Sequence, residues 1–203
     1  QPESSAASDV YKRQMLFKKV SEIDREQLPR TNGVYLFRLN DNASLNGFEN
    51  TNYCRIVYVG RAINSNTLYS RFGKHIESSS KQTSSSGSTF RRSLGAVLKN
   101  ELKLIAYPRR LINKKSEINN YNYILPGKDF TNENILTDWM KENLEYCFIE
   151  SDNAEEFEKD LEKTIKPTLN DTKHNPLQSK LFGRDESLRK ICRKEAKKFL
   201  EGT

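Results

Sequence analysis

The chain has 203 residues, 35% of them hydrophobic and 30% charged, with a net charge of +7. That length supports one domain with a modest core, and a pI near 9.2 suits a polyanionic partner as well as it suits a merely soluble basic protein. No apolar run is long enough to span a bilayer, and Cys54, Cys147 and Cys192 are too scattered for a disulfide framework or a structural zinc site, which fits a reducing cytoplasm.

Residues 1–14 are polar and lack the apolar centre of a signal peptide, so they read as a non-native or disordered leader ahead of Met15. From Gly33, Val34 and Leu36 alternate with Tyr35, Phe37 and Leu39, the period of a strand. Cys54 to Val59 repeats the pattern, and the Asn-, Asp-, Ser- and Gly-rich stretch 40–52 between them reads as the loop of a long-connected hairpin. Leu68, Phe72 and Ile76 recur every four residues and predict a helix over 66–77, which Gly73 weakens. Residues 78–88 are dominated by serine and read as a flexible loop. Ser88 or Thr89 then caps a helix from Phe90 to about Leu104, buried through Phe90, Leu94, Val97, Leu98 and Leu102.

The stretch 106–130 is irregular and basic. A short amphipathic helix follows through Ile135, Leu136, Trp139 and Met140, and then a third strand over 144–149. Asn153 or Asp152 caps an acidic helix that stops at about Lys166, because Pro167 disfavours helical geometry in the residue before it. A basic helix over 184–200 closes the chain. The expected fold is α/β of the α+β kind: a small, mainly antiparallel, three-stranded sheet flanked by helices. The expected organisation is a single domain over 15–203, with an inserted basic loop near 105–131 and the basic C-terminal helix as additions.

Candidate chemistry is carried by Glu158, Arg71, His75, Tyr35 and Tyr58. On the acidic helix, successive residues rotate by about 100°, which places Glu158 within about 55° of the Ala154/Phe157/Leu161/Ile165 stripe and Glu162 about 95° from it. A carboxylate at a core margin is costly unless something binds it; a metal ion would, and so would a neighbouring lysine. Arg71 and His75 are four apart and share a helix face. There an arginine fork matches two phosphate oxygens, or else snorkels at an ordinary amphipathic edge. Tyr35 and Tyr58 are strand tyrosines, commonly core, and their phenol pKa of roughly 10 makes them poor bases unless nearby cations lower it.

The ordered set Gly33-Val34-Tyr35, Tyr58-Val59-Gly60, Arg71 with His75, and Glu158 with Leu161, Pro167 and Asn170 resembles the GIY-YIG endonuclease family. The resemblance runs from Gly33 to Phe199, and the stretches 87–95 and 136–140 look like one branch of single-domain members. It departs in its long spacer (22 residues lie between the two tyrosines), in Arg61 where several members have lysine, and in Glu162 where an apolar residue is usual. What it implies is hydrolysis of DNA with one Mg²⁺ or Mn²⁺ held by Glu158, with Glu162 as the alternative ligand. A phenolate from Tyr35 or Tyr58 would activate water. Arg71 would stabilise phosphoryl charge, Arg61 would lower the tyrosine pKa or hold phosphate, and His75 would bond the water, a tyrosine or the phosphate. Arg91, Arg92, Arg109, Arg110, Lys114 and Lys115, with Arg189, Lys190, Arg193, Lys194, Lys197 and Lys198 of the last helix, are candidate DNA-phosphate contacts. A cutter of both strands would work as a homodimer. The alternatives are a nucleic-acid-binding module without catalysis and a structural protein whose tyrosines are core.

Overall fold

All five alternating side chains from Val34 to Phe37 and at Leu39 are buried, so the strand that carries them is covered on both sides. In the computed structural model, which describes residues 15–49, 55–77, 84–109, 120–125, 129–184 and 186–201, that strand lies inside an antiparallel sheet. The strands in chain order are β1 (Lys18–Lys19), β2 (Gly33–Leu39), β3 (Ile56–Ala62), β4 (Tyr107–Pro108), β5 (Tyr121–Asn122) and β6 (Leu144–Glu150). The main sheet runs β1-β6-β2-β3, and β4 pairs separately with β5. The expected hairpin forms, with Tyr35 opposite Gly60 and Phe37 opposite Tyr58. On its other edge β2 pairs with β6, placing Tyr35 opposite Phe148.

The sheet has four strands rather than the three expected. The fourth, β1, is two exposed lysines that pair with Tyr146 and Glu145. It is too short to show any alternation, so its sequence carries no strand signal.

The helices among the described residues are α1 (Leu68–Ile76), α2 (Thr89–Leu98), α3 (Thr131–Asn143), α4 (Ala154–Ile165), α5 (Gln178–Phe182) and α6 (Leu188–Glu201). Thr67 caps α1 by accepting from the Ser70 N–H, and Ser88 caps α2 by accepting from the Arg91 N–H, each cap contributing about 1 kcal/mol. Helix α2 ends at Leu98, a turn and a half short of the expected Leu104, and its residues 90–98 are all buried. Neither Asp152 nor Asn153 caps α4 by its side chain; Asn153 occupies the cap position without a side-chain bond. The helix stops as expected before Pro167, with Lys166 in the left-handed region at φ 54°.

Two cores result. Tyr35, Phe37, Leu39 and Tyr146 join Phe72, Phe90, Leu94 and Met140 on the face covered by α1, α2 and α3. Val34, Leu36, Ile56 and Val59 join Ala154, Leu161 and Ile165 of α4 on the other. The outer edge of β3 is closed by the segment after α4. Leu169 donates its N–H to the Val57 carbonyl at 2.9 Å. Asn170 accepts from the Val59 N–H at 3.1 Å and donates to the Val59 carbonyl at 2.7 Å.

Residues 1–14, Cys54, and Arg110, Lys114 and Lys115 of the basic loop lie outside the described residues. Cys147 and Cys192 are buried thiols, the former on β6 as a small core residue. Among the described residues no helix is long and apolar enough to cross a membrane.

Candidate active site

Tyr35 stands on the central strand with its ring across from Gly60, where a Cβ would collide with the Tyr35 Cζ and hydroxyl. Only glycine leaves room for the ring there. Helix α1 crosses this face and presents Arg71 and His75 from successive turns. Both meet the Tyr35 hydroxyl: Arg71 Nε and Nη2 donate to it at 3.1 and 2.8 Å, and His75 Nε2 lies 2.7 Å away. Tyr58 comes from β3 on the same face, its ring centroid 6.2 Å from that of Tyr35.

Burial pushes the Tyr35 phenol above its ordinary range, against the pull of Arg71. Burial and then the neighbouring Tyr35 push Tyr58 well above it. Desolvation outweighs the guanidinium at both rings. Burial, with the charges of Arg71, Arg91 and Lys74, holds His75 well below the usual histidine range, so its ring is neutral at pH 7. Arg71 donates twice to the Tyr35 oxygen, which leaves His75 Nε2 as the acceptor for the Tyr35 proton. The His75 hydrogen then sits on Nδ1 and is donated to Ser88 Oγ at 2.7 Å. Ser88 was legible only as a helix cap; it also fixes this ring.

Glu158 approaches from the other side. Helix α4 packs on the opposite face of the sheet, and the Glu158 charge is nonetheless near enough to bear on Tyr35, Tyr58 and Arg71. Arg61, whose side chain leaves β3 toward α4, donates Nη1 to Glu158 Oε2 at 3.0 Å and lies 3.6 Å from Glu155. Arg61 thus engages the acids and not the tyrosines. Burial raises Glu158 to about 7, opposed by Arg61 and reinforced by the Glu162 charge. Glu162 itself is taken: its Oε1 accepts from Asn170 Nδ2 at 2.7 Å. The Pro-x-x-Asn signature thereby acquires a physical role, pinning one acid and the strand edge together.

Among the described residues no group of three or more His, Cys, Asp or Glu side chains gathers to cage a metal. The donor set instead fits a largely hydrated ion. Glu158 Oε1 makes no hydrogen bond among the described residues, and its carboxylate is held short of full ionisation by burial beside a second acid. A cation would relieve that, and Mg²⁺ commonly takes one or two carboxylates while keeping its waters.

The sequence-predicted phosphate contacts divide. Arg91 is fully buried and ion-paired with Glu133 at 2.8 Å, so it faces no phosphate and its assignment is corrected. Its Nε and Nη2 reach Glu133 Oε2, Nη2 also the Glu133 carbonyl and Thr137 Oγ1, and Nη1 the His75 carbonyl at 2.7 Å. The single spacing of Arg91 before Arg92 could not separate a core arginine from a surface one. Arg92 is largely buried, Arg109 half-buried, and Lys194, Lys197 and Lys198 of α6 are exposed.

A family model described as a GIY-YIG catalytic domain matches residues 33–193. No curated protein and no solved structure matches the chain.

Proposed function

The chain belongs to the GIY-YIG catalytic domain family, and on that premise we propose that it is a metal-dependent DNA endonuclease that hydrolyses phosphodiesters by water attack. The observation that carries this reading is the Tyr35 hydroxyl, on which Arg71 and His75 converge within reach of the Glu158 charge.

Tyr35 is the better base of the two tyrosines. It is the less strongly raised, it holds two guanidinium bonds, and its proton already faces a neutral acceptor. As the Tyr35 oxygen takes a proton from the attacking water, the Tyr35 proton passes to His75 Nε2, and the same relay run backwards returns a proton through Tyr35 to the departing oxygen, so that His75 ends neutral. Arg71, once substrate is bound, offers its remaining donors to the phosphoryl oxygens as charge develops there. Tyr58 packs beside Tyr35 and helps hold its ring in place. Glu158 would hold one Mg²⁺ or Mn²⁺, which when bound supplies charge neutralisation at the phosphate and leaving oxygen. Arg61 positions Glu158 in the absence of the ion. The partner is DNA, the location cytoplasmic, and a second copy serves where both strands are cut.

Incubation with supercoiled plasmid and Mg²⁺ or Mn²⁺ tests the proposal. Nicking that chelation stops and that Glu158→Gln abolishes, with the fold intact by circular dichroism, supports it. Full activity in Glu158→Gln would refute the metal role. Salt-sensitive DNA binding with no nicking would replace the enzyme by a binding module.

A further inference from the structure

Away from Tyr35, arginines from two helices meet without a counter-charge. Arg92 of α2 is 8% exposed and Arg189 of α6 is 6% exposed. Arg92 Nη1 donates to the Ser85 and Ser86 carbonyls at 2.5 and 3.2 Å, and Nη2 to Thr89 Oγ1 at 3.0 Å. The Arg189 guanidinium lies 5.1 Å from the Phe182 ring centroid and 6.0 Å from that of Tyr121, whose hydroxyl donates to the Arg92 carbonyl at 3.0 Å. Both Nε–H groups are buried and have no partner. Half-buried Arg109 adds its charge at the rim.

Among the described residues none of the three forms an ion pair. Of the acids on the neighbouring elements, Glu133 is engaged with Arg91 and Glu195 with Lys99 and the Ala106 N–H, while Glu186, ahead of α6, is exposed and forms no ion pair with Arg189 among the described residues. The other titratable groups around them are Tyr121, Tyr123 and Cys192, each raised by burial and none of them anionic at pH 7. Burial together with Arg189 and Arg109 pulls Arg92 down to about 10, a measure of how poorly the local charge is balanced. Buried cations without an opposite charge are strongly unfavourable. Planar guanidinium forks with free N–H groups match the oxygens of a phosphate more closely than they match chloride.

We propose that Arg92, Arg109 and Arg189 form a binding site for a phosphate-type oxyanion, distinct from the Tyr35 centre. The oxyanion is either a backbone phosphate of bound DNA, which rests on the nuclease reading, or free phosphate, which does not.

The test compares wild type with Arg189→Met and with Arg109→Gln, a half-buried position that tolerates change. Thermal unfolding is measured in chloride and in inorganic phosphate at equal ionic strength, and binding of a fluorescent DNA duplex is measured against salt. A free-phosphate site gives a wild-type midpoint that rises in phosphate and a rise that both variants lose. A backbone-phosphate site lowers the slope of log affinity against log salt by about 1 in each variant. In either case Arg189→Met melts in chloride at or above the wild-type midpoint, because a like charge has gone. The proposal is overturned if phosphate stabilises no more than chloride and the DNA slopes are unchanged. It is equally overturned if Arg189→Met melts well below wild type while keeping the phosphate response, since Arg189 would then be a structural residue with its own counter-ion. Absence of nicking beside an intact phosphate response removes the nuclease reading and leaves this site standing.

Discussion

Glu133→Gln isolates the buried ion pair that underlies the site. Glu133 and Arg91 are both fully buried. The carboxylate takes two guanidinium bonds at 3.0 and 2.8 Å, and its other oxygen takes the Ser85 N–H at 3.0 Å and the Ser85 hydroxyl. Glutamine keeps the shape but removes the charge, so Arg91 stays buried as an unmatched cation. Breaking a buried pair from one side costs about 3–5 kcal/mol. For a chain of this size each kcal/mol moves the melting midpoint by roughly 2–4 °C, so the variant should melt roughly 6–20 °C lower. Differential scanning calorimetry reads this directly. The double variant Arg91→Met/Glu133→Leu, which removes both charges, should recover most of the loss, and the cycle gives the coupling. A drop under about 2 °C in Glu133→Gln would refute the reasoning, because it would mean that the pair is solvated or that Arg91 finds another anion.

His75 should stay neutral well below pH 6.5: its ring signals in proton–nitrogen NMR should not move between pH 8 and pH 6. Because its folded pKa lies below the unfolded one, it contributes stability that is present above pH 6.5 and lost as pH falls. Wild type should therefore lose stability faster on acidification than His75→Gln, and parallel curves would count against the burial argument. Glu158 runs the other way. Its folded value of about 7 lies above the ordinary 4.5, so its contribution to stability falls as pH rises through that window. Glu158→Gln should flatten that fall, and wild-type affinity for Mg²⁺ should climb toward pH 7 and level off above it; affinity independent of pH between 5 and 8 would contradict the assignment. Gly60→Ala must push the Tyr35 ring aside. Nicking should fall by about 100-fold, with a stability loss of about 1–3 kcal/mol, and activity within a few-fold of wild type would remove Tyr35 from its role.

The elements with strong periodicity were legible: the two tyrosine strands, α1 and α4 follow from alternation and from stripes spaced by four. Helical projection sets Glu158 closer to the core margin than Glu162; in the structure both are half-buried, Glu162 held by Asn170 and Glu158 by Arg61. Other features were hidden for physical reasons. Strand β1 is held by its partner's backbone, and two lysines leave no apolar trace. Arg91 resembles any surface arginine until α3 supplies Glu133, a contact 42 residues distant. The direction of the tyrosine shifts depends on how completely the rings are covered, which three-dimensional packing alone decides. That α4 lies across the sheet from α1, with Glu158 paired to Arg61 of β3, depends on how the chain wraps the sheet.

The amide of Asn170 occupies both hydrogen-bonding groups of Val59, so the exposed margin of β3 offers a second molecule little to pair with. Unblocked margins of this kind invite strand-to-strand polymerisation. Loss of Asn170 would therefore release Glu162 and open a self-association surface in one step, tying the protein's solubility to the integrity of its acidic pair.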